Sequence, residues 1–184
     1  GNVDNGIKNV PKKLINDETL VYERIKWRRR ARLEKPSLEL LLKYEGAFSY
    51  PKHWWREVNY HTRKQLSYKQ YNIALEILKK YNKNSQSYLS EARWLAGWVS
   101  LTFQKDPNTA YEYFSQMFVE VITPISKARA SFWAAKSAKT LGDIEGSKVW
   151  FDRAASYPAT FYGQLALKEL NKDLYIPKLS SIYS

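Results

Sequence analysis

Along most of this chain the apolar positions recur every three or four residues, the spacing of one face of an α-helix. After Pro107 they fall at Ala110, Tyr113, Phe114, Met117 and Phe118, and after Asp143 the same spacing takes in Ser147, Trp150, Phe151 and Ala154. Asp106-Pro107 and Thr123-Pro124 each place a capping side chain ahead of a proline at the first helical position, where the missing N–H costs nothing. The pattern predicts helices over 17–34, 37–44, 51–66, 69–82, 87–104, 107–120, 124–141, 144–156 and 160–170. No stretch alternates with period two for long enough to compete as a strand. The connections are short, which sets successive helices antiparallel.

The pattern also repeats. A shift of 37 residues lays Leu95, Leu101, Asp106, Ala110, Tyr113 and Phe114 on Phe132, Ala138, Asp143, Ser147, Trp150 and Phe151. A shift of 36 the other way lays Ala74, Ile77 and Leu78 under Ala110, Tyr113 and Phe114. A helical hairpin of about 36 residues cannot bury an apolar face alone, so such units stack. The helix over 87–104 carries two stripes, Tyr88, Ala92, Leu95, Val99 and Phe103 on one side and Trp94, Trp98 and Leu101 on another, as a helix between two neighbours requires. Gly97, Ala134, Ala135 and Ala138 would let helix axes approach where large aromatics of the facing helix fill the gap. The expected fold is all-α: antiparallel hairpins stacked into a curved α-superhelix, a TPR-like solenoid. Residues 1–16 are expected as a flexible segment, 17–171 as the superhelical domain and 172–184 as a linker.

Composition narrows this only a little. With 44% hydrophobic and 15% aromatic residues in 184, the chain can bury a sizeable core, which argues against disorder. No run approaches the roughly 18 apolar residues that span a membrane. The opening GNVDNG, with Gly1 in place of Met, reads as a processed start, any export signal having been removed. Zero cysteines exclude disulfides and thiolate metal sites. Thirty Lys plus Arg against eighteen Asp plus Glu give a formal charge of +12, which attracts polyanions in general: nucleic acid, acidic lipid or an anionic wall polymer. The densest run, KWRRRAR at 26–32, cannot form one flat patch, because consecutive helical side chains diverge by about 100°. Most of the charge therefore reads as solvated helix faces.

Little in the sequence carries catalysis. His53 and His61 lie on one predicted helix about 12 Å apart along its axis, cannot share a metal, and read as solvent-facing or capping residues. Carboxylates such as Asp17, Glu18, Asp143 and Glu145 sit in predicted first turns, where they complement the helix dipole. No glycine-rich phosphate loop, nucleophile elbow or calcium loop occurs, and no cofactor or metal is expected. Trp150 and Phe151 belong to the inward stripe. The neighbours Trp54 and Trp55 cannot both point inward at one neighbour, so one of them is a candidate exposed platform unless the solenoid's second layer buries it too.

Five phrases, in order, resemble one family. EARWLAGWVSLTFQKDP, ISKARASFWAAKSAKTLGD and YPATFYGQLALKEL are similar to the superhelical region of the bacterial soluble lytic murein transglycosylases, whose last superhelical motif reads TFYGQLA. LVYERIKWRRRARLE and WWREVNY resemble that family's upstream helices, so the likeness covers about residues 18–177. The resemblance implies a curved, partly ring-like α-superhelix followed by a lysozyme-like domain. That domain cleaves the MurNAc–GlcNAc bond of peptidoglycan to a 1,6-anhydro sugar with one glutamate, followed by serine, as acid and then base. No Glu-Ser dipeptide occurs here, and the chain stops at Tyr183-Ser184, just after the Ile176-Pro177 stretch that resembles the family's connection into the catalytic domain. The resemblance therefore implies a non-catalytic, periplasmic scaffold that guides peptidoglycan, without catalytic residues of its own. It also implies that Thr160, Phe161, Tyr162, Gly163 and Gln164 form the joint on which the catalytic domain docks, with Gly163 letting it come close; the alternative is a terminal helix that caps its own solenoid. Trp54, Trp55, Arg28 and Arg29 are the candidate glycan contacts. The alternatives are a stand-alone TPR-like protein-interaction solenoid and, more weakly, a basic nucleic-acid binder.

Overall fold

A computed structural model describes residues 6–7, 9–85 and 89–176. Among them the chain is all-helical, without a strand, as the periodicity predicts. After a 3₁₀ turn at Lys12–Leu14 come α1 (Glu18–Arg30), α2 (Glu34–Lys43), α3 (Pro51–Ser67), α4 (Tyr71–Asn84), α5 (Ser90–Val99, continued by a π turn at Ser100–Gln104), α6 (Pro107–Glu120), α7 (Pro124–Thr140), α8 (Ile144–Ala155) and α9 (Phe161–Glu169). Tyr88 and residues 177–184 of the expected linker lie outside the described residues, as do residues 1–5 and 8 of the N-terminal segment. Contacts group the chain into two compact units divided between Ala92 and Arg93.

In the first unit α1 packs on α2 and α3, and α4 packs on α2 and α3. Asp17 starts α1 by accepting the Leu20 N–H at 3.1 Å. The periodic reading carries the first helix to 34, but α1 stops at Arg30, because Arg32 adopts a left-handed backbone with φ 61°. Around Trp54 gather Tyr22, Tyr44 and Phe48, with ring centroids 5.3, 5.2 and 4.6 Å away. Lys80 of α4 ties down the end of α2, donating to the carbonyls of Leu42 and Tyr44 and to the Glu45 carboxylate. A cation there meets carbonyls that have no partner within the helix.

The second unit is layered by sequence order: α6 on α7, α7 on α8, and α9 against both α8 and α7. The repeated aspartates do the same work in each hairpin, Asp106 accepting the Thr109 N–H at 3.0 Å and Asp143 the Gly146 N–H at 2.9 Å. Thr123 and Thr160 cap α7 and α9 likewise. Gly142, at φ 83°, reverses the chain after α7 while the Asp143 N–H reaches back to the Ala138 carbonyl. Gly97 touches Phe114, where a Cβ would lie 2.8 Å from the ring. Ala134 and Ala135 of α7 are buried in one cluster with Phe132, Trp150 and Phe151, and Ala138 is buried on the same helix. Small residues and rings interdigitate as the repeat predicts, each fully buried ring contributing roughly 2–3 kcal/mol.

Candidate functional site

The sequence of α3, PKHWWREVNYHTRKQLS, sorts onto two faces. Trp54, Glu57, Val58, His61, Thr62 and Gln65 are buried. Only two of those six are apolar; hydrogen bonds satisfy Glu57 and His61, whereas the buried Thr62 hydroxyl has no partner among the described residues. Glu57 takes a bidentate grip from Arg29 of α1, Nε to Oε2 at 2.6 Å and Nη2 to Oε1 at 2.8 Å. The pairing with Glu57 holds the Arg29 guanidinium above its ordinary pKa. His61 Nε2 lies 3.0 Å from Ser37 Oγ, which donates to the Ile25 carbonyl. Burial pushes the His61 imidazole down to about 4, outweighing the nearby Glu57 and Glu34 charges. This corrects the expectation of a solvent-facing or capping histidine: His61 is a core residue, while His53 is exposed.

The opposite face of α3 carries His53, Arg56, Tyr60, Arg63 and Ser67 at alternating steps of three and four. These residues line two adjacent surface cavities of about 500 Å³ each, and Arg56 borders both. The upper cavity lies against Tyr22, Tyr50, His53 and Trp54, with Glu18, Glu23 and Lys26 on its rim. Its rings stand nearly edge to face, Tyr22 and Tyr50 at 6.3 and 6.4 Å from His53. The Glu18 carboxylate already accepts from Trp54 Nε1 and the Ser49 N–H, both at 2.7 Å, and Glu23 pairs with Lys26 at 2.8 Å. Both rim carboxylates have partners, and the lining mixes the rings of Tyr22, Tyr50 and His53 with the charged ends of Glu23, Lys26 and Arg56, a combination that suits sugar rings bearing polar groups.

The lower groove is basic. Arg29, Arg56, Asn59, Tyr60, Arg63, Lys64 and Ser67 form it, with the Arg29 guanidinium 5.0 Å over the Tyr60 ring. Lys64 pairs with Glu34 at 3.2 Å, and that hydrogen bond holds the Glu34 carboxyl below the usual carboxylate range. Arg29 is likewise committed to Glu57. Among the described residues Arg56 and Arg63 have no ion-pair partner, and Arg63 Nε is oriented by donating to Asn59 Oδ1 at 3.0 Å. The groove therefore presents two uncommitted guanidiniums to solvent.

Of the four expected glycan contacts, the structure brings Arg29 and Trp54 to these cavities and leaves Arg28 and Trp55 out. Trp54 is only 1% exposed, so it is the floor of the upper cavity and not an open stacking platform. Trp55 is half-buried and leans on Tyr81, 5.5 Å between ring centres. Arg28 donates to the Pro36 carbonyl at 2.9 Å. Tyr22, Tyr50, His53, Arg56 and Arg63 escape sequence reasoning, although the three-and-four spacing on α3 is there to be read. Among the described residues no cluster of His, Cys, Asp or Glu could hold a metal, and no helix is long and apolar enough to cross a membrane.

At the start of α9 the expected docking residues separate by role. Thr160 Oγ1 accepts the Gly163 N–H at 3.0 Å, capping the helix. Phe161 is 71% exposed, whereas Tyr162 packs on Phe132 at 5.4 Å. Gly163 is buried against the chain's own Tyr157 carbonyl, into which a Cβ would drive, so the neighbour that needs this glycine is the preceding turn. Gln164 Nε2 bridges the carbonyls of Pro158 and Tyr175 at 2.6 and 2.7 Å, tying the segment after α9 back onto it. No protein-family model, curated protein or solved structure matches the chain.

Proposed function

We propose that this chain is the non-catalytic helical region of a soluble lytic murein transglycosylase and that it holds peptidoglycan in the periplasm. Five ordered phrases and an all-α architecture of sequentially packed helices support the reading. The observation that carries it is the pair of cavities meeting at Arg56, one ringed by Tyr22, Tyr50 and His53, the other basic. Sugar rings suit the first and anionic groups the second. The catalytic domain of the same enzyme is the expected partner at α9, where Phe161 offers an exposed ring. Purified sacculi incubated with the chain at about 0.15 M salt, where exposed charges are screened beyond about 8 Å, should retain it, and Tyr22→Ala should lower that retention. Duplex DNA should bind at low salt and wash off, since its attraction is mainly counterion release. Retention on DNA with loss from sacculi at that salt would reverse the reading in favour of a nucleic-acid binder.

A further inference from the structure

We infer that the lower groove takes an acidic peptide, Arg56 and Arg63 each gripping one carboxylate. This rests on the wall-polymer reading and deepens it, since it assigns the groove to the polymer's stem peptides and not to its sugar chain. Of the four cations in the groove, Arg29 and Lys64 are neutralised by Glu57 and Glu34, which leaves Arg56 and Arg63 to meet a ligand. Seven residues apart on one helix, their Cα atoms are about 10 Å apart along the axis. Each guanidinium is a planar fork that matches a carboxylate bidentately, and Asn59 already fixes the orientation of one. Between them lie the Asn59 amide and the Tyr60 ring, with the Ser67 hydroxyl beyond Arg63, neutral groups that suit a peptide backbone.

The small number of unpaired cations argues against a nucleic-acid strand. Nucleic acid is held mainly by neutralising many phosphates, and this groove offers only two unpaired guanidiniums. Two single charges about 10 Å apart fit the groove without leaving an anion unmatched. Arg56 also borders the upper cavity, so a sugar seated against Tyr22 would send its attached peptide past Arg56 toward Arg63.

Calorimetric titration of the whole chain tests this with three probes: free acidic stem peptide, neutral chitotetraose and a short single-stranded DNA. The peptide should bind, and Arg56→Gln and Arg63→Gln should each weaken it about tenfold, or 1.4 kcal/mol. Arg63→Lys, which keeps the charge and loses the fork, should restore only part of that loss. Chitotetraose binding should be untouched by Arg63→Gln. Both arginines are exposed, so an unchanged circular dichroism spectrum is expected of every variant. Peptide affinity unchanged by both glutamine variants, or DNA displacing the peptide at about 0.15 M salt, overturns the inference. Sacculus retention insensitive to Arg63→Gln would sink the groove assignment and leave the wall reading standing. Peptide binding that needs both arginines, in a chain that ignores sacculi, would keep the groove and discard the wall.

Discussion

The two units are built from the same kind of helix, with a different balance of contacts inside each. Around α3 the first unit buries Glu57, His61, Thr62, Gln65 and Ser37, and the Arg29–Glu57 fork and the Ser37–His61 contact set how α1, α2 and α3 meet. The second unit buries some serines too, but its main cluster is alanines and rings: Ala110, Ala134, Ala135 and Ala154 with Phe114, Phe132, Trp150 and Phe151. Directed polar contacts specify one geometry but tie stability to protonation, because a buried group that gains or loses a proton also loses its partner. Shape-filling contacts are indifferent to pH and sensitive to volume. The same helical hairpin can thus be made strong by two kinds of contact, each with its own weakness.

Three measurements would break or sharpen this contrast. Trp150→Ala removes a ring that is 7% exposed, stacks edge-on with Phe118 at 5.3 Å and donates to Tyr111 Oη at 3.0 Å. It should cost about 3–5 kcal/mol in the second unit, equally at pH 7 and pH 5, as read by hydrogen exchange in denaturant. A loss confined to one pH would refute the indifference claimed for that core.

The next effect belongs to the first unit alone. His61 has an ordinary pKa of 6.5 and one of about 4 when folded, so between those values the unfolded chain binds the proton more tightly. Stability is then complete above about pH 6.5 and falls as pH drops toward 4, by up to roughly 3 kcal/mol. Amide protection in α1–α3 should decline over that window while α6–α8 hold, and His61→Gln should flatten the decline. An equal decline in both units, or one unaffected by His61→Gln, would count against the polar core as its cause. The smallest effect is at a cap: Asp106→Ala should cost about 1 kcal/mol, visible as fraying of the first turn of α6 with the rest of the unit intact. If the cap outweighed Trp150 in denaturant melts, the inward stripes of α6 and α8 would be out of register.

How much of this is legible in the sequence follows the same division. Asp106, Thr123, Asp143 and Thr160 announce their helix starts because capping is local chemistry, and all four accept an N–H three residues on. Trp150, Phe151 and the Gly97–Phe114 contact are readable because apolar periodicity reports directly on a shape-filled core. The inward face of α3 is not. Its stripe has helical spacing, but Glu57, His61, Thr62 and Gln65 occupy it, and a hydrophobicity pattern counts such residues as solvent-facing. Taking that stripe for surface leaves open which of Trp54 and Trp55 is exposed and draws attention away from His53, Arg56 and Arg63 on the other side. The break between α1 and α2 is hidden because a left-handed arginine at position 32 gives no compositional sign. Gly163 suggests room for another domain, yet its close neighbour is Tyr157, a contact that depends on how Tyr157 to Thr160 turn.

The two occupied faces of α3 also bear on how this chain can change over generations. Most helices at a protein surface have a tolerant side where substitutions drift freely. On α3 one side is locked by buried hydrogen bonds and the other lines the two cavities, leaving only flank positions such as Lys52 and Leu66 outside both sets. Arg29 links the sides, gripping Glu57 within and covering Tyr60 without, so neither face can vary independently of the other. Neutral variation should therefore be sparse across these seventeen residues and plentiful on the exposed flank of α8, where Glu145, Lys148 and Val149 face solvent.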